Sequence, residues 1–232
     1  MFSVTPYIWL PTSASALSVG PFSTSFSVGP FQGSPFGAMG RFDAMKGKWG
    51  YFLDVVYLNA FYGNLGPLGN TSVLTTAWLG EFGASYRVGG PNAAELLPNW
   101  GAVQNPPTYD VYLGIKGFFV TESLTVNFPL LGPQNATRSL LAGAPMVGVR
   151  ARWDLSEKWS LLVDANVGGL GVGASYIFGY GGLVAFSYKM EAFNLPAAVS
   201  IGARIVYMNL GSGDLAINQT LYGPLVGFTV FW

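Results

Sequence analysis

The side chains of this chain that could exchange protons with a substrate are carboxylates, foremost Asp54, Asp110 and Asp164. Two carboxylates can share acid and base roles when their surroundings push their proton affinities apart. Arginines and lysines are equally available here, so an ion-pair role is the stronger expectation. The chain has no histidine and no cysteine. That removes the Ser-His-Asp triad, the imidazole general base, zinc sites built on imidazole or thiolate, and any disulfide. An oxygen-only metal site would need a cluster of the D-x-D-x-D kind, and there is none. Gly168-Gly-Leu-Gly-Val-Gly173 has the outline of a dinucleotide-binding loop, but no helix-forming segment follows it. A glycine-rich hairpin is the better reading. No catalytic residue, metal ligand or cofactor is therefore expected.

The charges are more informative by the side of the chain they occupy. In 49–57, Trp49, Tyr51, Leu53, Val55 and Tyr57 share an apolar face while Asp54 lies on the other. In 73–88, Trp78, Phe82 and Tyr86 oppose Glu81 and Arg87. In 108–121, Tyr109, Val111, Leu113, Ile115 and Phe119 oppose Asp110 and Lys116. In 140–154, Val147, Val149, Ala151 and Trp153 oppose Arg150, Arg152 and Asp154, and Arg41 pairs by parity with Asp43. A period of two with charge on one side and hydrocarbon on the other means strands whose faces meet different solvents.

Composition says which solvents. Only 9% of the 232 residues are charged, against about 25% in an ordinary soluble domain. Half are hydrophobic and 16% aromatic, yet no run approaches the roughly 18 apolar residues of a membrane-spanning helix. Apolar overall without an apolar helix is the pattern of a transmembrane β-barrel. Eleven basic and eleven acidic residues, with no run of either sign, exclude the electrostatic footprint of a nucleic-acid binder.

The expected fold is a single all-β domain, a closed antiparallel up-and-down transmembrane barrel of about ten strands (eight to twelve). The strands are read at about 2–10, 35–46, 49–62, 73–88, 108–121, 140–154, 159–168, 173–188, 197–209 and 216–232. Tight turns at Lys46-Gly47-Lys48 and 155–158 contrast with long loops near 11–34, 63–72 and 122–139. Two connections depart from this asymmetry, a long one at 89–107 and a short one at 169–172. An even strand count puts both termini on the periplasmic side of a bacterial outer membrane. No basic and apolar leader precedes Phe2, so the chain reads as a mature form.

The inward set on this reading is Arg41, Asp43, Asp54, Glu81, Arg87, Asp110, Lys116, Arg150, Arg152, Asp164 and Arg204. Its signs nearly balance, which favours a lumen closed by mutual ion pairs over a strongly ion-selective pore. The lipid-interface aromatics are Trp49, Tyr51, Trp78, Phe82, Tyr86, Trp153, Trp159 and the terminal Trp232.

Three segments carry a resemblance: Tyr7-Ile-Trp-Leu-Pro11, the run from Met39 to Asp54, and the run from Val147 to Ser160 continued by Asp164–Gly173. With their tryptophan-led turns they resemble a family of uncharacterised bacterial outer-membrane β-barrels, OmpA-like or porin-like in type. The resemblance covers about two thirds of the chain. It implies an outer-membrane location and assigns no reaction or ligand. Where that family has an Asp-rich, partly helical segment, this chain has Ser/Gly/Pro/Phe-rich Thr12–Phe36.

The function expected is non-enzymatic: a structural or scaffold barrel or narrow pore, in contact with the lipid bilayer. Phe22, Phe26, Phe31 and Phe36 in the first long loop make a contact surface for another outer-membrane or extracellular protein. The alternatives are a channel for small apolar or zwitterionic solutes and a soluble lipocalin-like barrel, in which the charges would face outward.

Overall fold

Strands with charge on one face and hydrocarbon on the other, in a chain with too few charges to wet an outer surface, can turn the charged face inward. Closing on themselves satisfies both faces and leaves no unpaired edge. In a computed structural model the chain does this with β1 (Phe2–Trp9), β4 (Phe36–Lys46), β5 (Trp49–Leu65), β6 (Thr71–Gly89), β7 (Thr108–Phe128), β8 (Gly132–Asp154), β9 (Trp159–Gly169), β10 (Tyr176–Ala192), β11 (Leu195–Ser212) and β12 (Leu215–Phe231). The structure describes residues 1–19, 22–28, 36–65, 71–97, 100–128, 132–171, 176–212 and 215–232. Each of these ten strands pairs antiparallel with the next, and β1 closes the ring on β12 from Ser3↔Phe231 to Trp9↔Leu225. The chain ends are zipped together, Phe2 N–H donating to the Trp232 carbonyl at 2.7 Å and Trp232 N–H to the Phe2 carbonyl at 3.0 Å.

Two further strands correct the reading of 11–34 as a loop. After Leu10-Pro11, β2 (Thr12–Val19) continues along the upper half of β12, and β3 (Phe22–Val28) pairs with β2. The other expected long loops shrink as well: β5 runs to Leu65, β7 to Phe128, and β8 begins at Gly132. On β7 and β8 the outward residues at the start of these extensions are hydroxyls and an amide, Thr121, Ser123 and Thr125 opposite Ser139, Thr137 and Asn135. Thr121 and Ser139 hydroxyls meet across β7 and β8 at 2.9 Å, and those of Ser123 and Thr137 at 3.0 Å.

The exterior changes character along each strand. On β7 the outward residues from Tyr109 through Leu113 and Ile115 to Phe119 are apolar and exposed; Thr121, Ser123 and Thr125 follow. On β8 the band runs from Trp153 through Val149 and Val147 to Leu141, which is 69% exposed, before Ser139, Thr137 and Asn135. Aromatics sit at its turn-side edge, with Trp49 against Tyr86, Trp159 against Tyr188 and Tyr109 against Trp153. About ten residues per strand lie within the band, the number that crosses a bilayer at a tilt.

The connection at 89–107 folds back under the turn-side mouth. Its one-turn helix α1 (Ala93–Leu96) buries Ala93 and Leu96. Trp100 packs against Phe231 with ring centres 4.5 Å apart, and its Nε1 donates to the Ala197 carbonyl at 2.9 Å.

Candidate functional site

The barrel interior has two layers. The layer nearer the chain ends is charged, because the strands bring their inward carboxylates and cations to one height. Asp54 on β5 accepts from the Tyr7 hydroxyl at 2.7 Å and from Arg204 at 3.1 Å, with Arg41 at 3.8 Å. Arg41 also forks onto Asp43, and Arg150 bridges Asp43 at 3.2 Å and Asp164 at 2.8 Å. Asp164 accepts in addition from the Tyr112 hydroxyl at 2.6 Å. Lys116 pairs with Glu81 at 3.0 Å while donating to Asn166, and Arg87 pairs with Asp110 at 2.9 Å near the turn side. Arg152 lines the same interior and makes no ion pair among the described residues.

Parity alone could have supplied two members absent from the sequence reading. Tyr7 and Tyr112 point inward, and each donates to an aspartate that already holds an arginine. Lys189, paired with Asp154, lies one residue beyond the strand read at 173–188; β10 runs on to Ala192. Trp100 carries no periodic signal, since its segment is irregular.

The Tyr112 position depends on its cross-strand partner Gly148. A Cβ built on Gly148 would lie 2.3 Å from the Tyr112 ring. Gly148→Val is therefore expected to displace the ring, break its bond to Asp164 and cost about 1–3 kcal/mol in denaturant unfolding. Gly143→Val, whose nearest outside atom is 3.9 Å away, should cost much less.

The second layer, toward the loop side, is hydrocarbon. Met39, Val56, Leu58, Leu79, Phe118, Val120, Leu140, Met208 and Leu210 fill it as one buried cluster, to which Trp9 belongs with Arg204 over its ring at 5.6 Å. Above this cluster and beyond the outer apolar band, Glu122 faces inward and accepts from the Thr75 hydroxyl at 2.7 Å. Burial pushes its carboxyl up to about 7 from 4.5, against the opposing effect of the Thr75 bond. Arg138 stands across from it on β8 but is exposed, and it makes no ion pair among the described residues. A carboxyl that is ionised more readily in the unfolded chain costs stability as pH rises from about 4.5 to 7, by up to about 3 kcal/mol. The unfolding free energy should thus fall between pH 5 and pH 8, and Glu122→Gln should flatten that slope.

The eight outward aromatics divide by height. Trp49, Tyr51, Trp159 and Trp232 are exposed at the turn-side edge, beside the partly exposed Tyr86 and Trp153. Phe82 and Trp78 are exposed further along β6. The side chains of Phe22, Phe26 and Phe36, and the whole of Phe31, lie outside the described residues. The lipocalin-like alternative needed charges outside and hydrocarbon inside; the lumenal ion pairs and the exposed apolar band have the opposite arrangement. Among the described residues no group of acidic side chains is arranged to hold a metal ion.

No protein-family model matches the sequence, and neither does any curated protein. Among solved structures the chain is similar to Ail, the attachment invasion locus protein of Yersinia pestis, crystallised with the heparin analogue sucrose octasulfate: 9% identity over 97% of each chain, TM-score 0.44. It is also similar to the β domain of the Bordetella autotransporter BrkA, at 11% identity over 100% of this chain and 99% of that one, TM-score 0.46. Likeness at this level carries no information about what the chain binds or does.

Proposed function

We propose that this chain is a non-enzymatic integral barrel of a bacterial outer membrane, with its termini and the 89–107 cap on the periplasmic side, acting as a scaffold rather than a solute channel. The exposed hydrocarbon band with its aromatic edge supports the membrane reading, because a protein wetted by water on that face would aggregate. The lumenal carboxylates Asp54, Asp110 and Asp164 are each held by an arginine, which suits structural pairing better than proton transfer.

One observation carries the scaffold reading: the lumen is filled above its charged layer by a continuous buried apolar cluster. Water and ions avoid such a constriction. Purified barrel in planar bilayers should show no steady conductance. A stable conductance with the cap and loops intact would instead establish the channel reading. The extended rim of β5–β8 and the segment 12–36, whose sequence includes Phe22, Phe26, Phe31 and Phe36, are where a second envelope protein would dock. Deleting residues 12–34 should then strip a co-purifying component.

A further inference from the structure

The ion-pair layer and the Trp100 cap together line a cavity of about 130 Å³. Four guanidiniums line it, from Arg41, Arg150, Arg152 and Arg204, and three aspartates, Asp43, Asp54 and Asp164. The remaining lining carboxylate, Glu81, is already matched by Lys116. Arg41, Arg150 and Arg204 each hold an aspartate. Arg152 makes no ion pair and no hydrogen bond among the described residues. The two carboxylates that act on it electrostatically are engaged elsewhere, Asp154 with Lys189 and Asn105, Asp43 with Arg41 and Arg150. Arg152 is partly exposed to the cavity, and a cation in so confined a space without a counter-charge is poorly compensated, so an anion that joins it completes the arrangement.

We propose that the cavity binds a small organic monocarboxylate, with Arg152 as its anion-holding group. A planar guanidinium fork matches a carboxylate in two parallel hydrogen bonds. Ser3 and Ser160 line the same cavity, are 5% and 2% exposed, and make no side-chain hydrogen bond among the described residues. Their hydroxyls supply further donors. Trp100, Leu162 and Ala198 give the cavity an apolar wall, which a hydrated inorganic ion would leave unused. One surplus positive charge sets the ligand's charge at minus one. The inference does not depend on whether the barrel conducts.

Equilibrium dialysis of radiolabelled benzoate against the whole chain in neutral detergent, at fixed ionic strength, tests this. Saturable one-to-one uptake is expected, with at least a tenfold loss in Arg152→Met and none in Arg138→Met, an exposed arginine outside the cavity. Ser160→Ala should weaken uptake several-fold, giving a second readout should Arg152→Met fail to show the heat-shifted gel mobility of a folded barrel. No saturable uptake by the unaltered chain, equal uptake by Arg152→Met, or displacement of benzoate by equimolar chloride would each overturn the proposal.

Discussion

Asp54→Ala is expected to lower the unfolding free energy of the barrel by about 3–5 kcal/mol, because it breaks a buried pair from one side only. Asp54 is the acceptor on which β1, β4, β5 and β11 converge, through Tyr7, Arg41 and Arg204. Its removal leaves Arg204 without a carboxylate and Arg41 with Asp43 alone. The double variant Asp54→Ala/Arg204→Met, which removes both charges, should recover much of the loss, since hydrocarbon of similar volume often replaces a buried pair at little cost. Urea unfolding from detergent or lipid would give both values. A double variant no more stable than Asp54→Ala would mean that the pair is not coupled as the geometry requires.

The second large effect concerns the outer face. Leu113→Arg, in the middle of the apolar band on β7, is expected to cost about 2–4 kcal/mol when the barrel unfolds from a bilayer. Leu113 is 67% exposed, so the same change on a protein surrounded by water would be nearly neutral. Thr121→Arg, four outward positions further along the strand and beyond the band, should cost under about 1 kcal/mol. The difference between the two positions isolates the hydrocarbon, because strand, face and introduced residue are the same.

What could be read from the sequence follows from where the two faces differ. In 147–154 Val147, Val149, Ala151 and Trp153 alternate with Gly148, Arg150, Arg152 and Asp154, and the period of two separates the cavity-lining Arg150 and Arg152 from exposed Val147 and Val149. The signal fades where both faces are alike. Phe118-Phe119-Val120 is apolar on both sides because the lumen there is filled with hydrocarbon, so the inner cluster was not visible as such. In 121–125 and 135–139 the outward residues are hydroxyls and an amide, so the outward hydrocarbon that marks the band stops while the strands continue on backbone pairing and hydroxyl bonds. The hairpin β2–β3 was missed for the same reason: Ser-Ala-Ser-Ala offers no contrast between faces. Trp100 and its cap lie beyond any periodic reading, since a plug is positioned by tertiary contact alone.

The central claim is that lipid wets the outer band and stops wetting it at Thr121 and Ser139. Spin labels placed singly at Leu113, Leu141, Val147, Thr121, Ser123 and Thr137 in reconstituted vesicles would report collision with oxygen and with a water-soluble nickel complex. The account predicts oxygen-dominated collisions at the first three positions and nickel-dominated collisions at Ser123 and Thr137, crossing near Thr121. Ready access of the nickel complex to Leu113 and Val147 would contradict it.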